Sequence, residues 1–126
     1  MATATKLLFF GTSSIAVPAL RALAKDERFE IVGVVTQPDR PVGRKGELQS
    51  PPVKTVAEEL NVPVFQFENV KSEEAYLSFS VTGFQAAVVV SFGQIIPQAI
   101  LDLAPNKFVN IHASLLPKYR GSCPIN

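Results

Sequence analysis

A doubly wound, Rossmann-like α/β fold with a mostly parallel sheet is predicted by three features of the sequence. Short apolar runs at residues 6–10, 31–35 and 86–90 lack alternation, as expected of strands buried on both faces. Between them lie stretches whose apolar residues recur at helical spacing, giving the order β-α-β that builds parallel sheets with right-handed crossovers. Finally, 126 residues at 47% hydrophobic and 18% charged suffice for one core and hardly for two domains.

Residues 6–10 read as a strand closed by the turn residue Gly11. Ser13 or Ser14 then offers a helix N-cap, with Pro18 in the first turn, where its missing N–H loses no helical partner. Ala16, Leu20 and Leu23 form one apolar stripe of a helix ending near Lys25. After the strand at 31–35, residues 37–50 carry Pro, Gly and charges without apolar period. They predict a long loop, and such loops in compact domains are usually functional. Ser50 caps the next helix, with Pro51 at its first position, Val53, Val56, Ala57 and Leu60 as its stripe, and Asn61 at its end. Residues 62–65 suggest a short strand, 71–80 a weaker helix, 86–90 a central strand, 96–103 a short helix and 107–112 a last strand.

Charge narrows the function only by exclusion. Twelve Lys plus Arg against eleven Asp plus Glu leave a formal net charge of +1, so the bulk field selects neither nucleic acid nor acidic substrates. The single cysteine, Cys123, excludes an internal disulfide and a Cys-paired zinc site. No apolar run reaches the roughly 18 residues that span a bilayer, and the N-terminus lacks a secretory lead, so a cytoplasmic protein with no membrane partner is expected.

The last strand carries the chemistry. Its alternation sets Phe108, Asn110 and His112 on one face, with the Cα atoms of Asn110 and His112 about 7 Å apart at the carboxyl end of the strand. Open α/β sheets form their ligand crevice there. An amide donor beside an imidazole suits a developing oxyanion with a proton donor at hand. On spacing alone the commoner explanation is a turn-capping Asn and a satisfied edge His. Similarly, Arg40, Arg44 and Lys45, opposed by Asp39 and Glu47, could meet phosphates or simply form a solvated loop. Lys118 and Arg120 carry the same ambiguity, and Cys123 reads as an incidental small hydrophobe. Gly11 stands without the further glycines of a G-x-G-x-x-G turn, which argues against a dinucleotide enzyme.

The residue strings resolve these choices. Asn110-Ile111-His112-Ala113-Ser114-Leu115-Leu116-Pro117-Lys118-Tyr119-Arg120-Gly121 closely resembles the N-x-H-x-S-L-L-P-x-x-R-G signature of folate-dependent formyltransferases. Within that family, residues 36–44 (TQPDRPVGR) look like the long loop of the methionyl-tRNA formyltransferase branch. Residues 9–12 (FFGT) and 91–97 (SFGQIIP) are similar to two further family segments, and all occur in the family's order.

The resemblance implies transfer of a formyl group from 10-formyltetrahydrofolate, as co-substrate and without a metal, to the α-amine of methionyl initiator tRNA. It implies that Asn110 hydrogen-bonds the formyl oxygen, with His112 as electrostatic and proton-handling partner. Backbone from Phe92 through Gly93, Gln94 and Ile95 to Ile96 would line the pterin side, and Ser114, Leu115, Leu116 and Pro117 would run along the folate. Arg40, Arg44 and Lys45 would meet the tRNA acceptor end, Arg44 foremost, since a guanidinium bridges phosphates or stacks on an unpaired base. Glu47 interrupts a stretch that is more continuously basic in the family, Phe92 stands where a Tyr is frequent, and Ser122-Cys123 replaces small residues.

Family chains are about twice this length or more, with an aspartate some dozens of residues beyond the histidine and a C-terminal β-barrel that grips tRNA. The expectation is therefore an incomplete amino-terminal catalytic domain over residues 1–126, lost at its C-terminal side, without that barrel and inactive alone, from a protein monomeric at full length. The alternatives are a sugar-nucleotide or other small-amine N-formyltransferase, and a non-catalytic folate- or RNA-binding fragment.

Overall fold

The computed structural model describes residues 3–112. Its five-stranded sheet has the order β5-β2-β1-β6-β7, all pairs parallel, from β1 (Thr5–Gly11), β2 (Phe29–Thr36), β5 (Val64–Gln66), β6 (Ala86–Val90) and β7 (Phe108–Ile111). The chain first winds outward from β1 through β2 to β5, then returns to the other side of β1 for β6 and β7. The reversal falls between β1 and β6, whose carboxyl ends therefore diverge into loops that leave a crevice. Because every strand is parallel, all five carboxyl ends lie along one edge of the sheet.

Helices cover both faces, as the doubly wound prediction requires. On one side α1 (Val17–Lys25) and α2 (Pro52–Glu59) bring Leu20, Val53, Val56 and Ala57 against Leu7, Phe9, Val34 and Val88. On the other, α3 (Glu73–Ser80) and α4 (Gln98–Leu101) bring Ala75, Phe79 and Ile100 against Leu8, Phe10, Val35 and Ala87. Phe79 is fully buried and meets Phe10, Phe65 and Phe67 edge-on, with ring centroids 5.6, 5.9 and 5.7 Å away. That geometry sets positive ring edges on negative faces and adds to the burial of each ring. At the sheet edge the α1/α2 face thins out, leaving Val109 56% and Ile111 41% exposed. No helix among the described residues is long and apolar enough to cross a membrane.

Several local details differ from expectation. The stretch at 37–50 contains an antiparallel hairpin, β3 (Arg40–Val42) with β4 (Glu47–Gln49), turned by Gly43 and Gly46 at φ +70° and +66°. Both strands are exposed throughout, so no buried face imposes an alternation in the sequence. Neither predicted serine cap forms. Ser13 precedes a 3-10 turn (Ser14–Ala16) and its hydroxyl pairs with that of Ser91, while Ser50 turns to Asp39 and Pro51 takes the N-cap position of α2. Ser72 does cap α3, accepting from the Ala75 N–H at 3.1 Å. The helix expected over 96–103 shrinks to α4, with Ile96 and Pro97 in the loop before it.

Candidate functional site

At the reversal point, Gly11 ends β1 where a side chain has no room. An added Cβ would lie 2.9 Å from the Val90 carbonyl oxygen and 3.0 Å from the Ala16 Cβ. This close approach lets the Thr12 N–H reach the Ser91 carbonyl at 3.0 Å and the Thr12 hydroxyl reach the Phe92 carbonyl at 2.7 Å. Ser13 Oγ and Ser91 Oγ, 2.6 Å apart, complete the seam. The loop after β6 bends sharply, with Ser91 at φ +51° and Gly93 at φ +99°.

Beside that seam opens a cleft of about 340 Å³ lined by Ile15, Val89, Ser91, Phe92, Gly93, Gln94, Asn110, Ile111 and His112. Asn110 stands on β7 opposite Val89, and His112 follows the strand by one residue. Both are exposed, and the structure brings them to one cleft, as the alternation of β7 predicts. Phe108, on the same face two residues earlier, turns into the core against Phe10 and Phe84 and anchors the strand that presents Asn110. A second cavity, also of about 340 Å³, is lined by Val89, Gln94, Ile95, Ile96, Leu101, Phe108 and Asn110. Asn110 thus stands on the wall between a polar cleft and a more apolar one.

The segment 92–96 divides its labour. The Phe92 ring is buried against Phe10 at 5.3 Å, so this residue offers only backbone to a ligand. Loss of a tyrosine-like hydroxyl there leaves no unpaired group. Gln94 points inward: its amide donates to the Phe67 carbonyl at 3.0 Å and its oxygen accepts from the Val70 N–H at 2.9 Å. Ile95 projects outward, 81% exposed. Ser114, Leu115, Leu116, Pro117, Lys118, Arg120 and Cys123 lie outside the described residues.

Of the three cations expected to meet the acceptor, Arg44 and Lys45 stand exposed at the hairpin tip. Arg40 instead donates to Glu68, with 3.2 Å between the closest atoms, a solvent-exposed pair worth about 0–1 kcal/mol. Nor does Asp39 oppose the loop cations. It accepts from Gln66 at 2.8 Å, Lys54 at 3.3 Å and Ser50 at 3.3 Å, tying the hairpin's base to β5 and α2. The Gln66 amide bond, helped by Lys54 and Ser50 against partial desolvation, holds the Asp39 carboxyl below the usual aspartate range. Sequence reasoning missed this polar seam of Thr12, Gln37, Gln66 and Gln94, because its members are far apart in the chain and chemically unremarkable.

The profile of the formyl transferase family matches residues 5–126. The chain is 49% identical over 120 residues to a methionyl-tRNA formyltransferase of Sorangium cellulosum, covering 95% of this chain and 38% of that protein. With the corresponding protein of Clostridioides difficile it shares 47% over 121 residues, covering 96% of this chain and 39% of the relative. It therefore spans well under half the length of these curated relatives. Among solved structures, glycinamide ribonucleotide transformylase 1 from Symbiobacterium toebii superposes with a TM-score of 0.66 at 16% identity, over 96% of this chain and 57% of that one. The enzyme of the same name from Geobacillus kaustophilus gives 0.63 at 24% identity, over 94% and 63%. At these identities the likeness concerns the fold.

Proposed function

The chain belongs to the formyl transferase family, and we propose that it is the amino-terminal part of an enzyme that formylates methionyl initiator tRNA with 10-formyltetrahydrofolate. The observation that carries this reading is the convergence of Asn110, His112 and the 91–94 loop on one cleft at the carboxyl edge of the sheet. The identity to methionyl-tRNA formyltransferases supports the choice of acceptor. The exposed hairpin with Arg44 and Lys45 at its tip supports it too, since a small amine acceptor would not need such a projection.

In this reading the neutral α-amine of the methionyl group attacks the formyl carbon attached to N10 of the folate. The carbonyl oxygen gains negative charge, and the Asn110 amide donates a hydrogen bond to it in the tetrahedral intermediate. His112, which lines the same cleft, takes up the proton lost by the attacking nitrogen and returns one to N10 as the C–N10 bond breaks. The cavity along Ile95 and Ile96 receives the pterin, and the family resemblance assigns contact with the rest of the folate to Ser114, Leu115, Leu116 and Pro117, which lie outside the described residues. Arg44 and Lys45 meet acceptor-end phosphates, and Arg40 joins them only by leaving Glu68. The 126 residues form an incomplete catalytic unit that is inactive alone, and the full-length protein supplies the rest of the site and of the tRNA grip.

The test is a transfer assay on the full-length protein that carries this chain. Methionyl initiator tRNA, an amino-sugar nucleotide and glycinamide ribonucleotide are each offered with 10-formyltetrahydrofolate. Formyl-methionine recovered from the tRNA alone is the expected result. Preferential formylation of either small amine would replace the acceptor in this reading, and folate binding without transfer to any of the three would make the protein a binding module.

A further inference from the structure

Gln37 belongs by sequence to the acceptor-side loop, yet its side chain holds the other loop. Its Nε2 donates to the Gly93 carbonyl at 3.1 Å, and its Oε1 accepts from Gln94 Nε2 at 2.7 Å. Its backbone is fixed as well: the N–H donates to Thr12 Oγ1 at 3.2 Å and the carbonyl accepts from Gln66 Nε2 at 3.2 Å. Since Thr12 Oγ1 also donates to the Phe92 carbonyl, two successive peptide units, Phe92 and Gly93, are each held by a side chain from another strand's end. The loop needs such fastening. Ser91 at φ +51° occupies left-handed backbone space that non-glycine residues enter only when the surroundings over-determine it. A Cβ on Gly93 would lie 2.7 Å from Gln37 Nε2, so the amide and the bare glycine occupy one another's space.

We propose that Gln37 is a positioning residue for the formyl donor: it sets the backbone of residues 92–94, which walls the cleft facing Asn110, although it sits in the loop that serves the acceptor. The inference rests on the functional reading above. Its distinctive consequence is that two residues of one loop, Gln37 and Arg44, act on different substrates.

In the full-length protein, Gln37→Met keeps the side chain's reach and removes both amide bonds. Gln37→Glu keeps the acceptor for Gln94 and sets a carboxylate against the Gly93 carbonyl. Circular dichroism and thermal unfolding establish that each variant is folded. Formyl transfer is then measured with 10-formyltetrahydrofolate and methionyl initiator tRNA varied in turn. Both variants are expected to raise the donor KM about tenfold with the acceptor KM unchanged, Gln37→Met through two lost hydrogen bonds and Gln37→Glu through one lost bond and the repulsion of its carboxylate by the Gly93 carbonyl. Gln37→Met combined with Gln94→Ala should raise the donor KM less than the product of the single effects, since the two amides share one bond. A rise in acceptor KM alone, a parallel rise in both, or no change in either overturns the proposal. If the wild-type protein formylates no methionyl-tRNA, the functional reading fails separately. Titration of wild type and Gln37→Met with 5-formyltetrahydrofolate then still decides the inference, equal affinities refuting it.

Discussion

The sheet edge around Gly11 and the hairpin at residues 40–49 are linked through Gln37 and are opposites in physics. At the first, no buried side-chain polar atom among the described residues lacks a partner, and hydrogen bonds join Thr12, Gln66 and Gln94 to Gln37 over the ends of β1, β2 and β6. At the second, both strands are exposed, only three residue pairs make the ladder, and two left-handed glycines shape the turn. Under the proposed function, the difference separates two kinds of work. Transition-state stabilisation needs donors held within a fraction of an ångström, so it belongs on the fixed edge. Phosphate contact tolerates reorganisation and needs reach and charge, so a projecting hairpin can provide it.

The largest effect should come from the frame beneath the fixed edge. Phe79→Ala, at a fully buried ring in contact with three others, should cost about 3–5 kcal/mol in chemical denaturation of the protein. A cost under about 1 kcal/mol would show that the aromatic cluster does not hold the sheet to α3. Next, Asn110→Ala in the full-length protein should lower kcat by about 10²–10³ while leaving the unfolding midpoint nearly unchanged, because the side chain is exposed. Retention of normal kcat removes Asn110 from the oxyanion role.

Arg44→Ala should sharpen the contrast. Acceptor KM is expected to rise about tenfold, the slope of log affinity against log salt to fall by about one, and donor KM and stability to stay constant. If donor KM rises instead, the division of labour between edge and hairpin is wrong. The smallest effect concerns the hairpin's base. Asp39 titrates below the ordinary aspartate range, so its hold on Gln66 and Lys54 is complete above that range and is lost as pH falls through the lowered value. Amide exchange of residues 40–49, corrected for intrinsic rate, should stay flat from about pH 6 to pH 4 and quicken only below it. Asp39→Asn should show the quickened exchange at every pH, and identical profiles for the two proteins would detach Asp39 from this task.

Strands announced themselves wherever both faces are buried. Residues 6–10 read as a strand, and β1 occupies Thr5–Gly11; residues 86–90 and β6 coincide. Stripe residues Leu20, Val53, Val56 and Ala57 are all buried, because helical periodicity records the burial it predicts. That Asn110 and His112 share one face of β7 was legible as alternation, whereas their selection as a candidate site came from the resemblance of residues 110–121 and not from spacing. What stayed hidden depended on contacts distant in sequence. Gln94 meets Gln37 across 57 positions and Gln66 meets Asp39 across 27, and nothing local distinguishes those residues from surface polar ones. The serine caps failed likewise: a hydroxyl competes for partners, and at Ser13 and Ser50 tertiary partners won. The hairpin left no trace because neither of its faces is buried.

The pairing of β1 with β6 has a consequence for how the protein forms during synthesis. Lys6 and Gln85 are clasped by two hydrogen bonds, Lys6 N–H to Gln85 Oε1 and Gln85 N–H to the Lys6 carbonyl, across 79 positions. On the ribosome, β1 can find β2 early, but its other edge stays open until β6 has emerged, and closing so long a loop is slow. For that interval Leu7, Leu8, Phe9 and Phe10 form an apolar strand with an unpaired edge, the kind of segment that chaperones engage and that aggregates when they do not. Stalled nascent chains ending before residue 86 should therefore bind a holdase, and release should coincide with the emergence of β6 from the tunnel.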